Sequence, residues 1–324
     1  MKKLTIGIPT FDDFDGVWFT IQALRLYHAE VSDRIEYIIV DNNPGSRHGE
    51  LCRELTGWVR NGGRTACAYV PLEPRRGTAV AKNAVFEHAT TEYVLCTDCH
   101  VLFVPGAIQR LLDYFGRHDG SRDLLQGVLL YDDLRTVSTH FRTTNRDGSP
   151  LWSSGMLGEW ATDERGVDPD AEPFEIEMTG MGVFACERTA WPGFNRHFEG
   201  FGGEEGYVQE RFRRNGGRAL CLPFLGWLHR FERPRGVPYP NILEERMRNY
   251  VIGHRENGFD EAPVIAHFTE LLGREKVELV MAALIHPEAR EGTTDAIAED
   301  AVTTMRESRI VGSVPSVTSA VLSD

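Results

Sequence analysis

Chemistry-bearing side chains concentrate in two short stretches. The first is Thr97-Asp98-Cys99-His100, which closes the apolar run Tyr93-Val94-Leu95-Cys96. A short apolar run bounded by polar residues reads as a buried strand. A carboxylate and an imidazole two residues apart point to the same side of an extended chain, so Asp98 and His100 can face one point. In open α/β sheets, ligands bind at such strand ends. One oxygen and one nitrogen donor suit Mn2+ or a similar divalent ion (Mg2+ included), and such an ion neutralises a diphosphate. The plain alternative is an aspartate capping the next turn, with His100 half buried. The second stretch is Gly202-Gly203-Glu204-Glu205, ahead of a helical pattern from about Tyr207 to Arg214. The helix dipole favours acids at a helix start, which would account for that pair without any function.

The elements that must position these residues alternate. Apolar runs at Leu4 to Ile8, Ile35 to Val40, Thr65 to Val70 and Tyr93 to Cys96 read as strands. Helical patterns lie between them at Val17 to Tyr27, His48 to Val59 and Thr78 to Ala89. Strand–helix alternation with short links predicts an α/β fold with a mixed, mostly parallel, Rossmann-like sheet flanked by helices. Three strands end in polar loops on one side, at Thr10, Asp41 and Asp98, which is a nucleotide-binding layout. The sequence has no G-x-G-x-x-G after its first strand and no G-x-x-x-x-G-K-[ST], so the common dinucleotide and P-loop folds are disfavoured.

Farther along, Ile108 to Phe115 reads as a helix and Leu124 to Tyr131 as a strand. Residues 132–172 are polar and weakly periodic, the mark of a functional loop region. Its Trp152 and Trp160 would either line an acceptor groove or anchor the loop. Gly180-Met181-Gly182 interrupts strand-like residues, and glycines there let a ligand approach the backbone. Arg218 to Leu225 reads as a strand, followed by Trp227-Leu228-His229-Arg230. The Pro- and Arg-rich stretch from Phe231 to Pro240 has the character of a lid. Asn241 to Ile252 and Ala262 to Leu284 carry helical patterns. The expected domains are a catalytic domain at 1–255, a helical extension at 256–285, and a partly helical or disordered tail at 286–324.

The chain has 324 residues, 41% of them hydrophobic, and a formal net charge of −13, which argues against a broad grip on nucleic acid or anionic membrane. Its six cysteines lack zinc spacing. Cys96 and Cys99 have C-x-x-C spacing, but at a strand end, where no helix start stabilises a thiolate. No apolar run reaches the length of a membrane span. Met1-Lys2-Lys3 leads directly into a strand without a signal peptide, so the expectation is a cytoplasmic enzyme.

Four segments together resemble the GT-A nucleotide-sugar glycosyltransferases. IGIPTF resembles the first strand of that superfamily and IIVDNN the second. TDCHV sits where the family places its metal motif, usually Asp-x-Asp. The Asp-x-His form is similar to that of the polypeptide N-acetylgalactosaminyltransferases. The block GFGGEEGYVQERFRRNGGRALCLPFLGWLHRF resembles their W-G-G-E-N block, which leads to a metal-binding histidine. The resemblance runs over most of residues 4–235.

It implies a GT-A fold and a metal-dependent enzyme moving a sugar from a UDP-sugar, or another nucleotide-sugar, to an acceptor hydroxyl. Asp41 would bind the uracil or ribose, with Thr10 in the same pocket. Arg76, Lys82, Thr97 and Asp98 would lie along the nucleotide. Asp98, His100 and His229 would hold Mn2+ or Mg2+; taken alone, His229 beside Trp227 and Leu228 reads equally as a packed histidine. Gly180, Met181, Gly182, Gly203 and Glu204 would line the sugar or acceptor. Two positions depart from the pattern. Phe201 replaces the tryptophan before Gly-Gly, which weakens a sugar-stacking role. Glu205 replaces the asparagine, and an acid there resembles the base of inverting relatives such as the β-1,4-galactosyltransferases. That favours an inverting enzyme with Glu205 as base. The competing functions are a nucleotidyltransferase on a similar scaffold, against which the acidic FDDFDG loop argues, and a non-catalytic nucleotide-sugar-binding protein. The acceptor is open: a polysaccharide, lipid carrier, protein, small molecule or modified DNA base. Arg213, Arg214, Arg230, Arg233 and Arg235 would either grip an anionic acceptor or form a solvated basic face.

Overall fold

Strands with apolar residues on both faces need cover on both faces, and the fold supplies it. The computed structural model describes residues 3–62, 65–73, 77–233 and 236–285. Its first half alternates β1 (Leu4–Thr10), α1 (Phe14–Tyr27), β2 (Ile35–Asp41), α2 (Arg47–Gly62), β3 (Ala66–Pro71), α3 (Thr78–His88) and β4 (Tyr93–Thr97). β1 pairs in parallel with β2 and β4, and β2 with β3. The helices α1 and α2 cover one face of the sheet, and α3 the other. α3 lies close because its packed face is small, with Ala79, Ala81 and Ala84 buried. Gly7 of β1 completes that fit: a Cβ there would come within 2.1 Å of a Val85 methyl.

The second half departs from simple alternation. It comprises β5 (Val101–Phe103), α4 (Ala107–Arg117), β6 (Leu124–Leu130), β7 (Val137–Ser138), β8 (His140–Arg142), β9 (Glu159–Ala161), β10 (Phe174–Glu175), β11 (Val183–Glu187), α5 (Glu204–Arg214), β12 (Ala219–His229), α6 (Leu243–Asn257), α7 (Ala262–Leu272) and α8 (Arg274–Ile285). The main sheet runs β10-β12-β6-β11-β4-β1-β2-β3, with β5 added on β12 and β7 on β6. β11 is antiparallel to both its neighbours, β4 and β6. The expected mixed, mostly parallel architecture with C-terminal helices is therefore present. The resemblance carried no hint of β5, and β12 continues past Leu225 to His229.

The weakly periodic 132–172 stretch holds the small β8–β9 sheet and short helical turns. Its tryptophans are packed inward. Trp160 meets Phe141 edge-on at 4.3 Å, and Trp152 meets Tyr250 of α6 at 4.9 Å. α6 crosses residue 255 and packs on α5 as well as on α7 and α8. Residues 286–324, where the tail was expected, lie outside the described residues. Among the described residues no helix is long and apolar enough to cross a membrane.

The course of β12 depends on one bulge. Leu222 pairs with Gly127 of β6, but the next pair is Trp227 with Leu129, so residues 223–226 stand against Val128 alone. The bulge absorbs Pro223, which has no N–H to give a ladder. It also drives the Leu225 carbonyl onto Gly127, where a Cβ would sit 1.7 Å from that oxygen. Gly127→Ala should therefore cost at least about 2 kcal/mol in urea unfolding, the scale of forced overpacking.

Candidate active site

Parallel pairing brings the polar ends of β1, β2 and β4 to one edge of the sheet, with Thr10 registered against Asp41. From the other half, β12 runs antiparallel to β5 and sets His229 opposite Val101, one residue from His100. Three of the expected ligands therefore meet. His229 Nε2 lies 3.0 Å from His100 Nε2 and 3.5 Å from Asp98 Oδ2. All three donor atoms fall within 4.8 Å of one another. Ligands held about 2.1 Å from one ion at 90–109° are about 3.0–3.4 Å apart, so the separations suit a shared cation.

The protonation pattern suits it too. The Arg233 guanidinium donates to His100 Nε2 at 2.5 Å, and Asp13 Oδ2 lies 3.0 Å from His100 Nδ1. Burial lowers the pKa of His100, against the pull of Asp13 and Asp98, so the ring is neutral near pH 7. Burial would raise Asp98, but the His229 hydrogen bond and the charges of His100, His229 and Lys82 outweigh it and hold the carboxyl below its ordinary range. His229 Nδ1 is buried and has no hydrogen-bond partner among the described residues. Two imidazoles and one carboxylate form a donor set for Mn2+ or a similar first-row ion, and the residues fit it.

Beside this trio, α5 opens on the acidic pair. Gly202 and Gly203 take φ of 97° and 89°, a left-handed turn natural to glycine, and the helix begins at Glu204 itself. The pair therefore sits in the first turn, where the dipole favours it. Glu204 is buried and bonds Lys82 Nζ at 3.4 Å through Oε1. Its Oε2 is buried without a partner among the described residues. Burial alone would lower the Lys82 ammonium, but Glu204, Asp98 and Glu205 face it and raise its pKa. Burial, then the charge of Glu204, pushes Glu205 up to about 7. Phe201 does not stand free for a sugar. It stacks on Tyr239 at 5.0 Å, and the Arg246 guanidinium covers its ring at 5.2 Å.

At the strand ends where the nucleotide was expected, Asp41 is buried and accepts from the Asn43 amide at 2.8 Å and the Tyr69 hydroxyl at 2.7 Å. Thr10 Oγ1 nearby is buried and unpartnered among the described residues. Thr97 closes β4 in a buried position. Arg76 lies outside the described residues. The glycines at 180 and 182 make room for protein as well as for any ligand. A Cβ on Gly180 would meet the Trp160 ring at 2.3 Å, and one on Gly182 the Trp227 ring at 3.0 Å and Asp98 Oδ2 at 3.2 Å. Met181 is buried in the core below.

Of four further residues around this cluster, Asp13, Tyr69, Tyr239 and Arg246, only Asp13 left a signal in the sequence. Asp13 offered the best clue, an aspartate just before a helical pattern, which marks a helix cap. Nothing local distinguished the others.

Residues 5–147 match the family profile described as Glycosyl transferase family 2. A crystal structure of GalNAc-T7 with UDP, GalNAc and Mn2+ superposes with a TM-score of 0.59 at 14% identity, over 79% of this chain and 48% of that one. This is the GT-A glycosyltransferase fold. S. aureus TarS 1–349, in complex with UDP-GlcNAc, shares it at a TM-score of 0.50 and 14% identity, over 83% of this chain and 71% of that one. The chain thus spans about half the length of the GalNAc-T7 chain. Comparison with curated proteins finds no match. Lys82→Met would leave the buried Glu204 carboxyl without its ion-pair partner. Chemical denaturation should show a loss of about 3–5 kcal/mol, partly recovered by adding Glu204→Gln.

Proposed function

We propose that the protein is a divalent-cation-dependent glycosyltransferase that moves a sugar from a UDP-sugar to an acceptor hydroxyl with inversion. The observation that carries this reading is the meeting of Asp98 Oδ2, His100 Nε2 and His229 Nε2 at the nucleotide edge of the sheet. The uridine donor is supported by Asp41 and Thr10 at that edge, and by the UDP and UDP-GlcNAc in the two fold neighbours. Asp98, His100 and His229 would hold the ion. Bound there, it would act as a Lewis acid toward the departing diphosphate.

The chain's own residues account for the remaining chemistry. Glu205 is partly buried at the α5 N-terminus beside Glu204 and takes the acceptor proton. A base with a pKa near 7 is half ionised at neutral pH and strong enough to accept that proton. Lys82 anchors Glu204 and offsets the crowded negative charge. Arg246, stacked over Phe201, adds a cation that Glu205 faces.

A hydrolysis screen of UDP- and GDP-sugars tests the donor without knowledge of the acceptor. UDP release should require Mn2+ or Mg2+ and vanish in EDTA; UDP binding indifferent to both would remove the ion from the site. Glu205→Gln should keep UDP binding and lose about 10²- to 10⁴-fold in transfer, the usual share of a general base. Because the active form of Glu205 is the ionised one, wild-type kcat/KM should rise with pH through about 7 and fall about tenfold per unit below it. A profile flat from pH 5 to 8 would exclude Glu205 as the base.

A further inference from the structure

Asp13 lies outside the ligand trio, yet its carboxylate ties together three segments that form it. Only 8% of the residue is exposed. Oδ1 accepts from the Gly16 amide at 3.0 Å and caps α1. Oδ2 lies 3.0 Å from His100 Nδ1, in the β4–β5 turn, with Cys99 Sγ 3.7 Å away. Arg230, at the end of β12, reaches Oδ1 at 3.2 Å and Oδ2 at 3.4 Å. The first turns of α1 press on the same turn: the Thr20 hydroxyl accepts from Val101 N at 3.0 Å, and a Cβ on Gly16 would come within 2.8 Å of Cys99 O.

The hydrogen bonds fix the imidazole tautomer. Arg233 has only protons to offer, so the His100 Nε2 it touches carries a lone pair. The ring proton therefore sits on Nδ1 and is donated to Asp13. We propose that Asp13 is a positioning residue for the ion: it holds the His100 proton on Nδ1 and so keeps Nε2, which in this structure accepts from Arg233, as the ring's ligand atom beside His229. This rests on the ion site proposed above. Carboxylates behind metal-binding histidines commonly orient the ring and raise its basicity, and losing one costs about 10- to 100-fold in metal affinity.

Asp13→Asn separates this role from helix capping. Asparagine caps as well as aspartate. Gly16 N and Arg230 both present N–H groups to the Oδ1 position, so the amide oxygen stays there and the NH2 turns to His100 Nδ1. A donor facing Nδ1 moves the ring proton to Nε2 and removes the ligand lone pair. The experiment is Mn2+ calorimetry on the full chain, wild type against Asp13→Asn and Asp13→Ala, with thermal melts and 15N NMR of the histidine rings.

The expected result is a 10- to 100-fold weaker Mn2+ Kd for Asp13→Asn, with its melting temperature close to wild type and the His100 proton moved to Nε2. Asp13→Ala should lose the cap as well and melt lower. Equal Mn2+ affinity in wild type and Asp13→Asn overturns the proposal and leaves the ion site standing, as does a wild-type His100 protonated on Nε2. A wild type that binds neither Mn2+ nor Mg2+ overturns the ion site itself, and this proposal with it.

Discussion

Crowded negative charge is the constraint on which the rest of this structure turns. Asp98, just past β4, and Glu204 and Glu205 from α5 all face the buried ammonium of Lys82 on α3. Even with Arg246 facing Glu205, three carboxylates gathered around one buried ammonium crowd negative charge, and such crowding is costly at low dielectric. The molecule answers in two ways. It lets Glu205 keep its proton up to about pH 7, and it places two imidazoles beside Asp98, where a cation could be shared. The proposed base and the proposed ion site would thus be two responses to one electrostatic problem.

Each element's contribution follows from its place around that charge. β1, β2 and β4 are parallel and end together, which sets Thr10, Asp41 and Asp98 along one line. β12 comes from the far half of the sheet and carries His229 into the trio only because its bulge swallows Pro223 and lets the strand run on. α6 closes the other side: Asn249 donates to the carbonyls of Glu199 and Gly202, pinning the Gly-rich turn from which α5 starts.

Much of this was legible in the sequence because the signals were local. Continuous apolar runs marked β1, β2 and β4, and the polar residues that ended them marked the site. Asp98 and His100 were evident from their two-residue spacing. His229 was not, since nothing local separates a ligand histidine from one packed beside Trp227; only the order of blocks in a family resemblance brought it forward. The glycines at 180 and 182 suggested open backbone, yet their missing side chains accommodate Trp160 and Trp227, whose positions depend on residues far away in the chain. Asp13 looked like an ordinary turn acid because its partners, His100 and Arg230, lie 87 and 217 residues away. Strand pairing and carboxylate partners at such separations leave no trace in a periodic pattern.

The antiparallel seat of β11 has a consequence for how the chain assembles. β4 is buried throughout and apolar as far as Cys96, and β11, which covers its outer edge, begins only at Val183. Until that later segment arrives, a nascent chain presents the bare N–H and C=O groups of an apolar strand, a template on which copies can aggregate. The same insertion joins β4 to β6 and hence to β12, a second link between the two sides of the site beside the β5–β12 pairing. A chain ending before Val183 would keep that edge of β4 open to other copies.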